Sequence, residues 1–555
     1  MESQGSSGRA LTSQNLERKL REATEEEVKN LRHVVDAIPI RVWVVAFIGM
    51  AERFTFYGIT APWQNYMQNG MNDEAHPGAL GLGQSTATNI YYAFFFFSYM
   101  TPLPFAVVAD SWLGRYKTLC ISVSLYICGC LIVFSTSLPP ALQHGAGVGG
   151  LVSAMVFIGL GVGGVKATIA PFIADQYTGT VPKITTTKSG ERVVTDRTLT
   201  IQYIYNVYYW LANIGSLSSI ATTWLEKKYG FWTAYLMPTC FLWVAVILLL
   251  IRRNLFVNCP PQGNILPMAT KLLLRASKSG FRLDAATIAF QRQNSGREVP
   301  WNEHFVAEMG RGLIACRVMF AFIIFYVCYN QMQNNLISQA GQMEVYGIPN
   351  DTIPAINQVA CIILGPIIQN WLYPYLSKRK IPFRPIARIT VGFIAVVIAM
   401  GYTAGVQRLI YNAGPCYEAP LACLASDNGR IPNHVNVWLQ TPIYVIMAFS
   451  EIFAYVTALE YAYAKAPKDM KTIVQAISLL IAGIGAALGM AISPVAEDPK
   501  LVTMYAALAG AMAAGTAVFW WKFNKYDSID EKLDTLNDQR QEAQALGVNY
   551  VQAHP

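Results

Sequence analysis

Six ionisable residues interrupt long apolar stretches of this sequence, and they are its candidates for chemistry. They are Glu52, Arg53, Lys166, Asp175, Glu451 and Glu460. A charge at the centre of a membrane helix costs at least about 2.5–3.5 kcal/mol, so such a residue indicates an interior cavity with a function. Glu52 could instead form an ion pair with Arg53 or Lys166 that only locks helices together. Glu451 has no basic partner deep in an apolar stretch of the second half, so we expect it to meet a cation of a ligand.

The signs of these charges differ between the two halves of the chain. Arg53 and Lys166 lie in the first half and Glu451 lies in the second, so a cavity between the halves would carry a dipole. A zwitterion fits such a cavity, with its carboxylate toward the first half and its ammonium toward Glu451. Amides that could bond a peptide backbone and aromatic rings that could line the pocket are Asn213, Asn357, Tyr57, Tyr99 and Trp438. Each ring could equally face lipid or pack in a helix core.

No catalytic or metal-binding set accompanies these charges. The glycine-rich run at 159–164 resembles a phosphate loop only superficially, because no strand precedes it and close packing between membrane helices explains small residues there. Most cysteines sit inside apolar stretches without metal-ligand spacing. Cys416 and Cys423 lie in an outside-facing loop, where they could form a disulfide or remain free. We expect no enzyme activity, no metal and no organic cofactor.

The elements that position these residues are membrane helices. The sequence is 53% hydrophobic and 14% charged, whereas soluble domains devote about 25% of their residues to charge. Twelve windows are long enough to cross a bilayer, which takes roughly 20 apolar residues. They lie near 42–69, 86–110, 116–138, 147–173, 200–223, 232–251, 314–340, 352–376, 384–408, 435–464, 471–493 and 501–522. The predicted fold class is an all-α integral membrane protein with twelve transmembrane helices in two six-helix bundles.

The distribution of Lys and Arg predicts the orientation. The even-numbered connections between windows hold many basic residues and the odd-numbered ones very few, so both termini should face the cytoplasm. These loops account for the net charge of +8, and we expect no nucleic-acid partner. Residues 1–40 are polar and charged, so we expect no cleavable signal there. We expect a cytoplasmic segment at 1–40, a first bundle at 41–253 and a cytoplasmic linker at 254–312, with a surface helix near 268–277. A second bundle at 313–522 and a cytoplasmic tail at 523–555 follow.

Several motifs, in order, resemble those of the proton-dependent oligopeptide transporter family within the major facilitator superfamily. In the first half they are ERFTFYG at 52–58, YMTP at 99–102, ADSWLGR at 109–115, GGVK at 163–166 and YYWLANIGSL at 208–217. In the second half they are QAGQM at 339–343, WLQTP at 438–442, SEIF at 450–453 and LEYAYAKAP at 459–467, which look like the fungal branch. The resemblance covers about 40–522.

This resemblance implies a carrier that alternates access and imports di- and tripeptides together with protons across the plasma membrane. One charge moved through the membrane is worth about 2.3 kcal/mol per 100 mV. Arg53, Lys166, Asn213, Asn357 and Glu451 would bind peptide, beside Tyr57, Tyr99 and Trp438. Proton coupling would use Glu52, Arg53 and Lys166, and Asp110 and Arg115 would serve the conformational cycle. The expected partners are small peptides, protons and the lipid bilayer, with the protein working as a monomer.

Departures from the family pattern leave alternatives open. Gly49 stands where the family motif begins with a glutamate, Asn330 stands where bacterial relatives carry an acid, and Phe56 replaces a frequent tyrosine. Without an acid at Gly49 the first-half cavity is more positive, and Glu52 would have to take over proton coupling. The alternatives are weakened coupling with another small anion or zwitterion as substrate, such as nitrate or a modified peptide, and a transporter-like nutrient receptor.

Overall fold

Membrane-spanning helices dominate the structure. The computed structural model describes residues 21–545, except for residues 72, 74–75, 180, 188–189, 262–265, 279–282, 284–286, 289, 292–298, 300, 380–382, 428 and 466–470. Ten segments of the described chain are long and apolar enough to cross a membrane. They are Ile40–Gln68, Gln84–Leu113, Arg115–Thr136, Ala146–Asp175, Phe231–Ile251, Asn350–Leu376, Pro385–Asn412, Val437–Ala462, Thr472–Val495 and Leu501–Lys525. These are spans 1–4, 6 and 8–12.

Spans 5 and 7 complete the predicted twelve, but they are more polar and less regular. Span 5 consists of two helices, Arg197–Ser216 and Ser218–Tyr229. Span 7 is broken by 3₁₀ turns into the helices Glu303–Cys316, Phe322–Tyr329 and Asn335–Gly341. The amides of span 7 are buried and bonded on both sides: Gln331 and Asn335 bond the first bundle, and Gln339 bonds spans 9 and 10. Buried amides with such partners are stable, which explains a helix so rich in Asn and Gln.

Several other spans are also built from shorter pieces. Span 1 joins Ile40–Thr60 to Trp63–Gln68, and span 2 joins Gln84–Met100 to Pro102–Val108. Three π-helical turns close or interrupt spans 2, 8 and 10, namely Ala109–Leu113, Ile368–Leu372 and Glu451–Val456. The flanking α-helices are Ala355–Ile367, Tyr373–Lys378, Thr441–Ser450 and Thr457–Lys465. A π-helical turn carries a residue more than an α-helical turn and recurs at functional sites.

The apolar core is divided in two. One cluster is drawn from residues 42–256 with Ala486, and the other from residues 266–523. Within the first bundle, spans 3 and 4 approach closely through glycines: a Cβ on Gly161 would lie 2.6 Å from Cβ of Tyr126, and one on Gly164 would lie 1.8 Å from Oγ of Ser122. Small residues at these positions are therefore required for packing, as the sequence indicates for the run at 159–164.

A small β-sheet lies at one end of the first bundle, which we call the sheet face. Its order is β1-β3-β4-β2, with β1 at Arg21–Glu22, β2 at His33–Val34, β3 at Lys183–Thr186 and β4 at Arg192–Thr195. Strands β1 and β3, and β3 and β4, pair antiparallel, whereas β2 and β4 pair parallel. The sheet thus fastens the segment before span 1 to the loop between spans 4 and 5. The membrane part is all-α as predicted; the sheet is an addition to it.

Side chains reinforce this attachment. The N-terminal helix Glu25–Asn30 begins with a capping box between Thr24 and Glu27. Glu27 pairs with Arg192 at 2.9 Å, and Arg32 pairs with Glu191 at 3.0 Å. Also at the sheet face, the linker forms the helix Leu266–Lys278, which agrees with the surface helix predicted there.

Hydrogen bonds join the two bundles at the opposite end, which we call the loop face. Asn65 and Asn350 exchange amide hydrogen bonds at 2.8 and 3.0 Å. Further bonds between the bundles are Gln64–Ser338, Thr88–Asn335, Thr223–Thr352, Tyr92–Gln331 and Lys227 to the carbonyl oxygen of Gly347. Among the described residues, the hydrogen bonds between bundles lie in the half toward this face. The bundles are therefore fastened together at the loop face.

Candidate ligand site between the two bundles

A tight ion pair occupies the middle of span 1. Arg53 donates from Nε and Nη2 to the two carboxylate oxygens of Glu52, at 2.5 and 2.8 Å. The Glu52 side chain is 2% exposed and that of Arg53 is 19% exposed. A bidentate pair is among the strongest hydrogen-bonded arrangements of side chains. Glu52 therefore holds the guanidinium in place, while Arg53 keeps donors for an anion.

Lys166 of span 4 lies beside this pair, between two aromatic rings. Its Nζ is 5.2 Å from the ring centre of Phe56 and 5.2 Å from that of Tyr99. The guanidinium of Arg53 lies over the same Phe56 ring at 5.3 Å. Cation–π contacts are worth about 0.5–2 kcal/mol each, the more so away from water. The phenyl ring of Phe56 thus separates and stabilises two cations, which together we call the positive cluster.

Tyr208 of span 5 fills the space beside Gly49. A Cβ on Gly49 would lie 2.3 Å from Cε2 of Tyr208. Tyr208 also interacts electrostatically with Arg53 and Glu52. The place where the family motif has a glutamate is thus taken by a tyrosine ring from another helix. A phenol next to the ion pair is polar but uncharged at neutral pH, so the cluster keeps its excess of positive charge.

Glu451 of span 10 forms the opposite pole. Its Oε2 accepts a hydrogen bond from the hydroxyl of Tyr329 at 3.1 Å and contacts Sγ of Cys361 at 3.7 Å. These partners come from spans 7 and 8. Because both contacts use Oε2, Oε1 can accept a bond from a ligand. Glu451 is the first residue of the π-helical turn of span 10.

Tyrosines connect the two poles. Tyr57 and Tyr99 each interact electrostatically with both Arg53 and Glu451, so both tyrosines lie near the two opposite charges. Arg53, Lys166, Glu451, Tyr57 and Tyr99 are all partly exposed although they lie in the middle of their spans. Partial exposure at that depth indicates a cavity between the bundles that water can enter. The structure therefore places the predicted charges of the two halves around a common space.

The amides predicted for this site have different positions. Asn213 donates to the carbonyl oxygen of Tyr209 in its own helix at 2.9 Å, and Tyr209 interacts electrostatically with Glu451. Asn357 is 3% exposed and lies one helical turn before Cys361. It donates to the carbonyl oxygen of Tyr444 at 3.4 Å. Asn213 therefore borders the cavity near Glu451, whereas the Asn357 amide spends a donor on joining spans 8 and 10.

Trp438 is the one predicted lining residue that stands apart. It lies in the 3₁₀ turn Val437–Gln440 at the loop-face end of span 10, with its side chain 50% exposed. Glu451 lies roughly 20 Å farther along the same span at 1.5 Å per residue. The structure does not bring Trp438 together with the positive cluster or with Glu451.

The residues predicted to serve the conformational cycle form an ion-pair network at the sheet face. Arg115 donates from Nη1 to both carboxylate oxygens of Asp175 at 2.7 Å, and from Nε to Asp110 at 3.3 Å. Arg115 begins span 3 directly after Gly114, whose φ of 80° is accessible mainly to glycine. The network ties the ends of spans 2, 3 and 4 together. Asp175, which the sequence marks only as a charge at the end of span 4, is its third member.

The loop between spans 9 and 10 is cross-linked. Cys416 and Cys423 form a disulfide bond, with their Cα atoms 5.5 Å apart. Asn433 fastens the same loop to span 9, since its amide donates to the carbonyl oxygens of Ile410 and Tyr417 at 2.8 and 3.0 Å. The loop is therefore fixed at both of its ends and lies away from the cavity.

Four neighbours of the charged residues are not predicted from the sequence. They are Tyr208, Tyr209, Tyr329 and Cys361. Phe56 also contacts Arg53, as its position three residues later on the same helix face indicates. Tyr329 and Cys361 lie on other spans than Glu451, and nothing in the spacing of the sequence links them to it.

A sequence profile described as the POT family matches residues 116–510. The chain belongs to the POT family. The match runs from the start of span 3 into span 12, so it includes Lys166, Asn213 and Glu451. Members of this family are carriers and not enzymes.

Individual POT family relatives match over almost the whole chain. The peptide transporter PTR_C of Candidozyma auris is 44% identical over 518 residues, covering 93% of this chain and 89% of the relative. The peptide transporter PTR2 of Saccharomyces cerevisiae is 39% identical over 519 residues, covering 94% of this chain and 84% of the relative. The crystal structure of the POT family transporter PepTSo matches with a TM-score of 0.68 at 18% identity, covering 89% of this chain and 99% of that one. The fold is that of the major facilitator superfamily.

Proposed function

We propose that this protein imports small peptides together with protons by alternating access. The observation that carries the proposal is the pair of opposite poles around one accessible space. Arg53 and Lys166 lie on the first bundle, and Glu451 lies on the second, with Tyr57 and Tyr99 between them. A di- or tripeptide has a carboxylate and an ammonium separated by a polar backbone, and it matches this arrangement at both ends. The relatives described as peptide transporters support the same substrate class.

The positive cluster would receive the peptide carboxylate. Arg53 is held by Glu52, and Lys166 is held between two rings, so both cations are fixed before a ligand arrives. A fixed site binds more tightly because less side-chain entropy is lost on binding. Proton coupling would use the same residues: a proton on Glu52 removes the negative charge beside Arg53 and strengthens the attraction of the cluster for the peptide carboxylate, and loss of that proton weakens it again.

The arrangement of the bundles supports alternating access. Hydrogen bonds fasten them at the loop face, so the structure represents the state that is closed at that end. We propose that the sheet face is cytoplasmic, because the basic connections lie on that side. The chain would then be inward-open, working as a monomer in the plasma membrane. Residues 41–253 and 313–522 would be the moving bundles, and the N-terminal segment, linker and tail would be cytoplasmic.

Peptide accumulation in proteoliposomes tests the function. Vesicles with an acidic exterior should concentrate a labelled dipeptide above its external level, and a protonophore should abolish the accumulation. Lys166→Ala should stop uphill accumulation, because the cavity loses half of its positive cluster. A matched control is Lys271→Ala on the linker helix, which removes the same charge away from the cavity.

The alternative functions give different results in the same vesicles. Accumulation that survives collapse of the gradient would refute proton coupling. Competition by nitrate and not by unlabelled dipeptide would favour an anion carrier. Dipeptide binding without any uptake would favour a receptor.

A further inference from the structure

Two buried carboxyl groups face each other across the joint between the bundles at the loop face. Glu226 belongs to span 5 of the first bundle, and Asp351 belongs to the 3₁₀ turn that opens span 8 of the second. They are 2% and 1% exposed. The elements that carry them pack on each other beside the hydrogen bond between Thr223 and Thr352, and the two side chains interact with each other. Neither residue takes part in the ligand site described above.

The two groups are poorly provided with other partners. Oε1 of Glu226 accepts a bond from Nδ2 of Asn65 at 3.4 Å, whereas Oε2 of Glu226 and both carboxyl oxygens of Asp351 have no hydrogen-bond donor among the described residues. Lys227 interacts electrostatically with Asp351, but its Nζ donates to the carbonyl oxygen of Gly347 at 2.8 Å. In the described part of the chain, three acceptor oxygens at the joint are therefore left without a hydrogen bond.

The groups that pack around the pair supply no compensating charge. Span 6 contributes Tyr235 and span 1 contributes Tyr66, whose hydroxyls are buried and lack hydrogen-bond partners in the described part of the chain. His76, in the loop after span 1, is engaged by the carbonyl oxygen of Gly341 at 2.7 Å. Asn65, Asn350 and Thr352 are uncharged and bond one another or Thr223. Among the residues that the structure describes, Lys227 is thus the cation that acts on Asp351.

Two adjacent carboxylates cannot both stay ionised at such a place. Burying a charge without a partner costs several kcal/mol, and two carboxylates that share a site repel each other strongly. A single proton removes both costs, because the protonated acid becomes a donor to its neighbour. Separation of the bundles returns each group to water, where each ionises on its own. The closed joint therefore binds a proton that the open joint does not need.

We propose that Glu226 and Asp351 form a proton-binding site that controls the outer gate, taking up one proton from outside when the bundles close at the loop face. The proposal rests on the function and orientation proposed above. The proton returns to the outside when the gate opens, so it is not transported with the peptide. External acid then favours the inward-open state directly, besides driving transport. By linkage, one proton bound only in the closed state changes the closed-to-open ratio by up to about tenfold per pH unit.

The inference is tested by following gate opening as a function of pH with no gradient present. Hydrogen–deuterium exchange of the loop-face ends of spans 1, 7 and 8 is measured in nanodiscs from pH 5 to pH 8. Wild type is compared at each pH with Glu226→Gln and Asp351→Asn, so that the chemical exchange rate cancels. An amide supplies a permanent donor in place of the proton. Both variants should stay protected at pH 8, where wild type exchanges up to about tenfold faster per pH unit above its midpoint.

Control variants separate charge from structure. Glu226→Asp keeps a titratable acid and should keep the wild-type pH dependence. Asp427→Asn changes an exposed acid in the loop before span 10 and should leave the profile unchanged. Equal protection of wild type and both amide variants at every pH would overturn the proposal. Lower protection of the amide variants at every pH would also overturn it, because the pair would then act only structurally.

The number of protons moved per peptide distinguishes this gate from the central coupling site. It should be the same in Glu226→Gln as in wild type, since the gating proton leaves on the side from which it came. A lower number would assign the pair to the transported proton and refute a gating role. Failure of the proposed function would appear differently, as wild-type vesicles that do not accumulate dipeptide in a gradient.

Discussion

Replacing Glu451 by glutamine removes one charge from the cavity and leaves the shape of the side chain almost unchanged. An ammonium about 4 Å from a carboxylate interacts with it by about 4 kcal/mol at the effective dielectric constant of about 20 that suits partly exposed sites. Desolvation of both groups offsets part of this, so we expect a loss of about 2–4 kcal/mol. Since about 1.4 kcal/mol is a factor of ten, a peptide with a free amino terminus should bind roughly 30- to 1,000-fold more weakly.

Competition for uptake of a labelled dipeptide measures this loss. The decisive comparison is between a free dipeptide and its N-acetylated form, which lacks the ammonium. Wild type should prefer the free dipeptide, and Glu451→Gln should lose most of that preference. Glu460→Gln, on the same span but exposed near the sheet face, is the matched control and should keep it. Equal weakening of both peptides by Glu451→Gln, or a change below about threefold for the free dipeptide, would refute the proposed binding orientation.

Two further predictions concern the first bundle. Both ring nitrogens of His33 face acceptors, Asp196 and the carbonyl oxygen of Val28, at 2.8 Å each, and these bonds raise the pKa of His33. Docking of the N-terminal segment should thus be strongest below the ordinary pKa of histidine and weaken as the pH rises through the raised pKa of His33. Proteolysis near residues 21–34 should therefore be faster at pH 8 than at pH 6. In His33→Ala this difference between the two pH values should disappear. Gly49→Ala should lower the free energy of unfolding by about 1–3 kcal/mol, because the added methyl group overpacks against Tyr208. The thermal unfolding midpoint should fall, and Tyr208→Ala in the same chain should restore it. An unchanged midpoint in Gly49→Ala would show that the ring moves aside freely.

The membrane helices could be predicted because the bilayer imposes one length and one composition on each of them. Spans 5 and 7 could also be predicted, although they are the most polar, since their amide and hydroxyl side chains interrupt the apolar runs without ending them. The sheet could not be predicted. Its strands hold two to four residues each, too few for an alternating pattern, and they pair a segment before span 1 with a loop about 150 residues later.

The charged residues of the site could be predicted because a charge inside an apolar stretch is rare. Their neighbours could not. Whether Glu52 would pair with Arg53 or Lys166 depended on side-chain directions that adjacency alone does not give, and the structure pairs it with Arg53. Tyr329 and Cys361 reach Glu451 from two other spans, and nothing in the sequence next to either residue indicates that contact. Trp438 is of a residue type that often lines pockets, but it lies at the end of span 10, far from the depth of Glu451.

The π-helical turn at Glu451–Val456 has a consequence for what span 10 tolerates. Before this turn, the helix packs on spans 8 and 9; after it, the helix packs on the start of span 7 and on span 9. Deleting a single residue within the turn would restore a uniform helix and rotate everything beyond it by about 100°. The helix after the turn would then present a different face to span 7, while Glu451 kept its place. The surplus residue thus sets the phase between the two halves of span 10, and a one-residue deletion there should be far more damaging than any single substitution nearby.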